Sequence, residues 1–352
     1  MKKYYLLPLF LLFLTISFSQ KKKNTNDGLK SSDLSGLKFR SVGPAFMSGR
    51  IADIAINPEN ENEWYVAVGS GGVWKTVNSG TTWKAITDDQ DFYSTGCITI
   101  DPHNSSKIWL GTGENVGGRH VGIGHGVFVS DNGGKSWKSM GLKSSEHISK
   151  IIVSPKDPNI VFVASQGPLW SSGGERGLYR TDNGGKTWKN VLSVNEWTGV
   201  TDIAIDHNNP NILYAATWQR HRNVASYMGG GPGTSIYKST DHGITWTEIK
   251  NGLPSSNLGK IGLAISPFDS SILYAAVETD RRNGAVYKTT NSGGSWKKMS
   301  DTVSGATGPH YYQELVASPH VFDKIYLMDT KVQVSENGGE DFYIMNESDK
   351  HV

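Results

Sequence analysis

The chain has 352 residues, with 35 basic against 33 acidic side chains, and removing Lys2 and Lys3 from an N-terminal leader leaves 33 against 33. That balance excludes the electrostatic footprint of a nucleic-acid or anionic-membrane binder. One cysteine, Cys97, excludes an internal disulfide framework, while 41 glycines and 11 tryptophans suit an all-β protein with many turns.

The N-terminus comes first. Lys2 and Lys3 precede an apolar stretch from Tyr4 to Ile16, and Ser17-Phe18-Ser19 puts small residues at the two cleavage-determining positions. This predicts a signal peptide over residues 1–19, a mature start at Gln20, and a secreted, periplasmic or cell-surface location. The apolar stretch is short for a membrane span, so no membrane insertion is expected. Residues 20–36 are polar and read as a flexible linker. Leu37–Val42 is a spare strand ahead of the repeats.

From there the chain repeats. The octet from Thr76 to Trp83 recurs as Ser130–Trp137, Thr181–Trp188, Ser239–Trp246 and Thr289–Trp296, with a worn copy from Ser335 to Phe342. Successive aromatic ends fall 54, 51, 58, 50 and 46 residues apart. A period near fifty residues is an array of one supersecondary unit. The pattern [S/T]-x-[D/N]-x-G-x-[S/T]-W makes a hairpin turn. The Asp or Asn side chain accepts from backbone N–H groups ahead of it, the Gly takes a strained backbone position, and the Trp opens the next strand. A calcium loop needs about six oxygen ligands and each octet offers one carboxylate or amide, so no metal is expected. No cofactor is expected either.

Each unit reads as four short strands. The first is apolar and ends in a turn: Ile51–Ile56, Cys97–Ile100, Ile148–Val153, Val200–Ile205, Ile261–Ile265 and Leu315–Ala317. The second strands are Trp64–Val68, Ile108–Thr112, Val161–Ser165, Ile212–Thr217, Ile272–Val277 and Ile325–Met328. The third leads into the octet and the fourth starts at its Trp. The predicted fold is an all-β propeller over residues 37–352, with four-stranded blades starting near 50, 96, 148, 200, 260 and 313. Six blades are visible, as a natural six-blade ring or as an incomplete seven-bladed one within a longer polypeptide.

Strand direction sorts the loops. The octets and the turns after the first strands share one face. The long, individual loops after the second and fourth strands share the other, and irregular loops on a rigid scaffold read as function. Seven residues there form the candidate ligand site: Arg50, Glu114, Arg119, His120, Arg220, Arg222 and Tyr312. Arg supplies forked donors to carboxylates and vicinal hydroxyls, and Tyr a stacking face for a sugar. The alternative is that these residues pair with neighbouring acids and fix the loops.

The octet resembles the Asp-box, or bacterial neuraminidase repeat. Phe39-Arg40-Ser41-Val42-Gly43-Pro44 through Gly49-Arg50-Ile51, then Gly71-Gly72-Val73-Trp74-Lys75-Thr76, is similar to large secreted bacterial proteins labelled glycosyl hydrolase or sortilin N-terminal-like. The resemblance spans about residues 37–352 and implies a propeller binding an extracellular glycan or protein opposite the octets. Its alternative implication is a glycoside hydrolase like the xyloglucanases or sialidases. Xyloglucanases carry a catalytic Asp in the first blade, and the matching position here is Gly69. Their second carboxylate comes from a second propeller. The Arg-Ile-Pro start of sialidases is replaced by Arg40-Ser41-Val42.

Overall fold

The computed structural model describes residues 30–37, 49–280, 283–301, 313–329 and 331–345. The chain divides into two units, residues 1–48 and 49–352. In the first, a single 3-10 turn, Ser31–Leu34, is described. Leu37–Val42, apart from Leu37, lies outside the described residues.

The second unit is a ring of six four-stranded antiparallel blades. Each is a meander in which neighbours in sequence are neighbours in the sheet. The first strands are Ile51–Ile56, Thr95–Asp101, Ile148–Val153, Thr198–Ile205, Ile261–Ile265 and Glu314–Ala317. Their β-branched runs are buried on both faces in the middle blades, as innermost strands must be. The fourth blade also carries a separate two-stranded hairpin, His221–Arg222 with Tyr227–Met228, between its second and third strands.

The octets fold as expected, in more detail than the pattern implied. In the first, Thr76 Oγ1 donates to Asn78 Oδ1 at 2.9 Å and accepts from Gly80 N at 3.0 Å. Asn78 Oδ1 also accepts from Thr82 N at 2.9 Å. The same clasp recurs at Ser130, Thr181, Ser239, Thr289 and Ser335. Two successive residues are left-handed, not one: Ser79 and Gly80 have φ of 54° and 83°. The fourth strands begin one residue later than expected, at Lys84, Lys138, Lys189, Thr247, Lys297 and Tyr343. The clasp reaches the residue before the Trp, so the first ladder pair falls on the residue after it. Octets are tied to the turns after their blades' first strands, as Gly184 N donates to Asn159 O at 2.9 Å and His242 N to Asn211 O at 2.9 Å. The two kinds of turn therefore share one face.

Apolar clusters join consecutive blades. Trp137 packs on a cluster holding Tyr65 and Phe92, Trp188 on one holding Trp109, and Trp246 on one holding Phe162. Trp296 and Phe342 continue the series. These five octet aromatics thus cover the blade before their own. Trp296 is buried at 5%, Trp137, Trp188 and Trp246 are half-buried, and Trp83 is 39% exposed. Trp83 departs from the series: among the described residues no apolar cluster joins it to another blade. The same asymmetry appears at Ile54, which is 52% exposed. Its counterparts Ile98, Ile151, Ile203, Leu263 and Leu315 are all buried against the preceding blade.

Candidate functional site

The loop that leaves the second blade after Thr112 is buried from its start, with Glu114 and Val116 wholly covered. Four successive backbone carbonyls there accept from side chains of other blades. Glu114 O receives His147 Nδ1 at 3.0 Å, and Asn115 O receives Lys260 Nζ at 2.9 Å. Val116 O receives Arg220 Nη1 at 2.8 Å, and Gly117 O receives Arg222 Nη2 at 2.9 Å. The side chains reach further. Glu114 pairs with Arg50 of the first blade, with Arg50 Nη2 donating to Oε2 at 2.9 Å. Asn115 Nδ2 donates to Glu314 Oε1 of the sixth blade at 3.3 Å. Gln166 of the third blade donates to Asn115 Oδ1. A four-residue stretch that touches all five other blades lies on the ring's axis, and residues 114–117 plug the channel on the long-loop face.

The physical reason is saturation. An extended backbone crossing an opening presents carbonyls that no strand can pair, and each one buried without a donor costs about 1–3 kcal/mol. Lys260, Arg220, Arg222 and His147 supply the donors. A carbonyl only accepts, so His147 Nδ1 carries the hydrogen. Burial, with Arg220 and Arg176 nearby, pulls the imidazole well below its ordinary value and keeps it neutral. Burial also lowers Arg220, to about 9, but its guanidinium is held by Val116 O and Gly167 O.

Beneath the plug the six first strands place one residue each at the same register: Asp53, Cys97, Lys150, Asp202, Gly262 and Glu314. Two of the carboxylates clasp the next blade, Asp53 accepting from Ile98 N at 2.9 Å and Asp202 from Leu263 N at 2.8 Å. Lys150 Nζ stands 3.9 Å from Asp202 Oδ1. Burial opposes its charge, yet Asp202, Glu314 and Asp53 outweigh burial and raise it.

Burial raises the Glu314 carboxyl from 4.5 to about 7, against Lys150 and with Asp53. The folded chain therefore keeps a proton that the unfolded chain releases between pH 4.5 and about 7. The stability from this group is full below the unfolded value and is lost as pH rises through the folded one. Thermal melts of the wild type are expected to fall relative to Glu314→Gln across that window. Parallel curves would contradict the assignment.

Of the predicted site residues, Arg50, Glu114, Arg220 and Arg222 come together, and all four belong to the plug. Arg50 pairs with Glu114, while Arg220 and Arg222 donate to backbone carbonyls and not to acids. Arg119 and His120 are exposed, at the outer turn of the same loop. Tyr312 lies outside the described residues, as do Tyr311, Arg281, Arg282 and Arg40. The residues not foreseen are His147, Lys260, Asp53, Lys150 and Asp202. The axial set was there to be found: aligning the six first strands on the turns that end them puts Asp53, Lys150, Asp202 and Glu314 in one column. At Gly69 a Cβ would stand 2.5 Å from Glu114 Oε1, so the space beyond that glycine holds the second blade's carboxylate. A cavity of about 540 Å³ opens elsewhere, lined by Pro254, Ser256, Thr279, Asn283, Tyr287 and Lys298 among others, and none of the described candidates lines it.

No protein-family model matches the chain. Among curated proteins it is similar to a xyloglucanase of Hypocrea jecorina, 28% identical over 258 residues, covering 63% of this chain and 28% of that protein. A xyloglucanase of a Paenibacillus species is 23% identical over 301 residues, covering 78% of this chain and 28% of that protein. Among solved structures it is similar to the GH74 enzyme of Niastella koreensis, with a TM-score of 0.62 and 15% identity over 82% of this chain and 45% of that one. The chain thus spans 28% of the length of these curated relatives. It is a β-propeller distantly similar to glycan-active proteins.

Proposed function

We propose that this propeller binds a polysaccharide on its long-loop face as a secreted or cell-surface protein. The observation that carries the reading is the likeness to xyloglucanases over 63% of the chain. A glycan accounts for it better than a protein ligand does. The Asp-box character of the octets and the basic-apolar-small pattern of residues 1–19 support the same reading.

Cleavage is the finer form of this reading. Hydrolysis needs two carboxyl groups flanking the scissile bond. The position that the resemblance gives to an acid is Gly69, and the neighbouring carboxylate of Glu114 is fully buried and paired with Arg50. That carboxylate serves the plug. Binding is the reading proposed here, and cleavage, which the likeness to xyloglucanases also supports, is its alternative.

The test is affinity electrophoresis of the purified chain in gels with and without soluble xyloglucan, alongside an assay for reducing ends. Retardation without release of reducing ends is expected. Release of reducing ends would establish the hydrolase form. Unchanged mobility of a folded chain overturns the reading.

A further inference from the structure

With the axis plugged, a ligand on this face must meet the outer surface of the loops. The hairpin of the fourth blade is the element that projects there. Its residues pair His221 with Met228 and Arg222 with Tyr227. Neighbours along a strand point to opposite faces, and cross-strand partners to the same one. Arg222 and Tyr227 face inward. The guanidinium lies 4.2 Å from the Tyr227 ring centre and bonds the plug at Gly117, and Tyr227 packs on Val116, Val121 and Leu169. His221 and Met228 therefore share the outer face.

Trp197 joins that face, and the loop that carries Trp170 is tied alongside it. The His221 and Trp197 rings are 4.2 Å apart between centres, tilted by 51°. The loop that carries Trp170 is bound to the hairpin and to the turn before Trp197 by its backbone. Leu169 O accepts from Arg222 N at 2.9 Å, and Gly173 N donates to Glu196 O at 2.8 Å. Arg220 N donates to Trp197 O at 3.2 Å, which fixes the start of the hairpin against the turn that holds Trp197. Trp170 is 42% exposed and Met228 44%. The hairpin turn is itself pinned, with Asn223 Oδ1 accepting from Ala225 N at 2.9 Å and Ser226 N at 2.7 Å.

We infer that Trp170, Trp197, His221 and Met228 form a rigid stacking platform for a pyranose ring. The inference rests on the glycan reading above. A pyranose has a face of C–H groups that stacks on aromatic rings, and its hydroxyls need acceptors at the edge. Glu196, exposed beside Trp197, supplies a carboxylate there. Because the platform is held by backbone bonds and backed by the plug, binding orders little, and affinity is not lost to reorganisation.

Calorimetric titration of the 352-residue chain with soluble xyloglucan tests this. The loss of one stacking ring is expected to weaken binding by Trp170→Ala roughly tenfold. Trp170→Tyr should recover most of it, and Trp83→Ala, on the octet side, should bind as the wild type does. His221→Ala provides a second probe if Trp170→Ala melts lower. Binding by the wild type that survives both substitutions overturns the platform and leaves the glycan reading standing. No binding by the wild type brings down both.

Discussion

Arg220→Ala is expected to cost about 3–5 kcal/mol of stability, by uncovering two buried carbonyls and leaving a cavity at the ring's axis. Arg220 has no exposed surface and donates to Val116 O at 2.8 Å and Gly167 O at 3.2 Å. Removing it strands both acceptors where water cannot reach without opening the plug. Arg220→Lys should recover only part of the loss, since an ammonium cannot present the planar fork that spans two carbonyls. Denaturant unfolding checks this, and limited proteolysis gives a second readout, with cleavage between residues 113 and 125 expected in Arg220→Ala before the rest of the ring. A stability within about 1 kcal/mol of the wild type would show that the plug is not held by its donors.

Trp296→Ala is expected to cost about 3–5 kcal/mol, and Trp83→Ala about 1 kcal/mol, although the two occupy the same octet position. Trp296 fills the seam between the fourth and fifth blades, against Tyr214 and Leu273 among others. Trp83 is 39% exposed and meets Trp64 edge-on at 6.4 Å. If each octet aromatic acts by covering the preceding blade, the cost follows the presence of that blade and not the motif. Equal losses at the two positions, measured by chemical unfolding, would show that the Trp acts within its own turn.

The sequence carried the ring because its signals are local. Thr76, Asn78 and Thr82 close their turn among themselves, so the octet can be read without knowing what lies across the blade. The first strands were legible for the same reason, as apolar runs and the turns at Asn57, Asp101 and Ser154 mark them. The plug was not legible. Its bonds join residues such as Asn115 and Lys260, which are 145 positions apart. Arg220 and Arg222 look in sequence like any exposed loop arginines, and only the closure of the ring turns them inward onto Val116 and Gly117. Parity did put Glu114, Arg119, His120 and Arg220 on one side. It could not say which would be buried, because that depends on the path of one loop across the axis. His147 gave no signal, since a histidine next to an apolar strand reads as an ordinary flank.

Hydrogen exchange with and without saturating soluble xyloglucan tests the central claim most directly. Ligand bound on the long-loop face should slow exchange in residues 166–176 and 218–228, around Trp170 and His221, and leave the octets from Thr76, Ser130 and Thr181 unchanged. Protection at the octets instead, or none on either face at saturation, would contradict it.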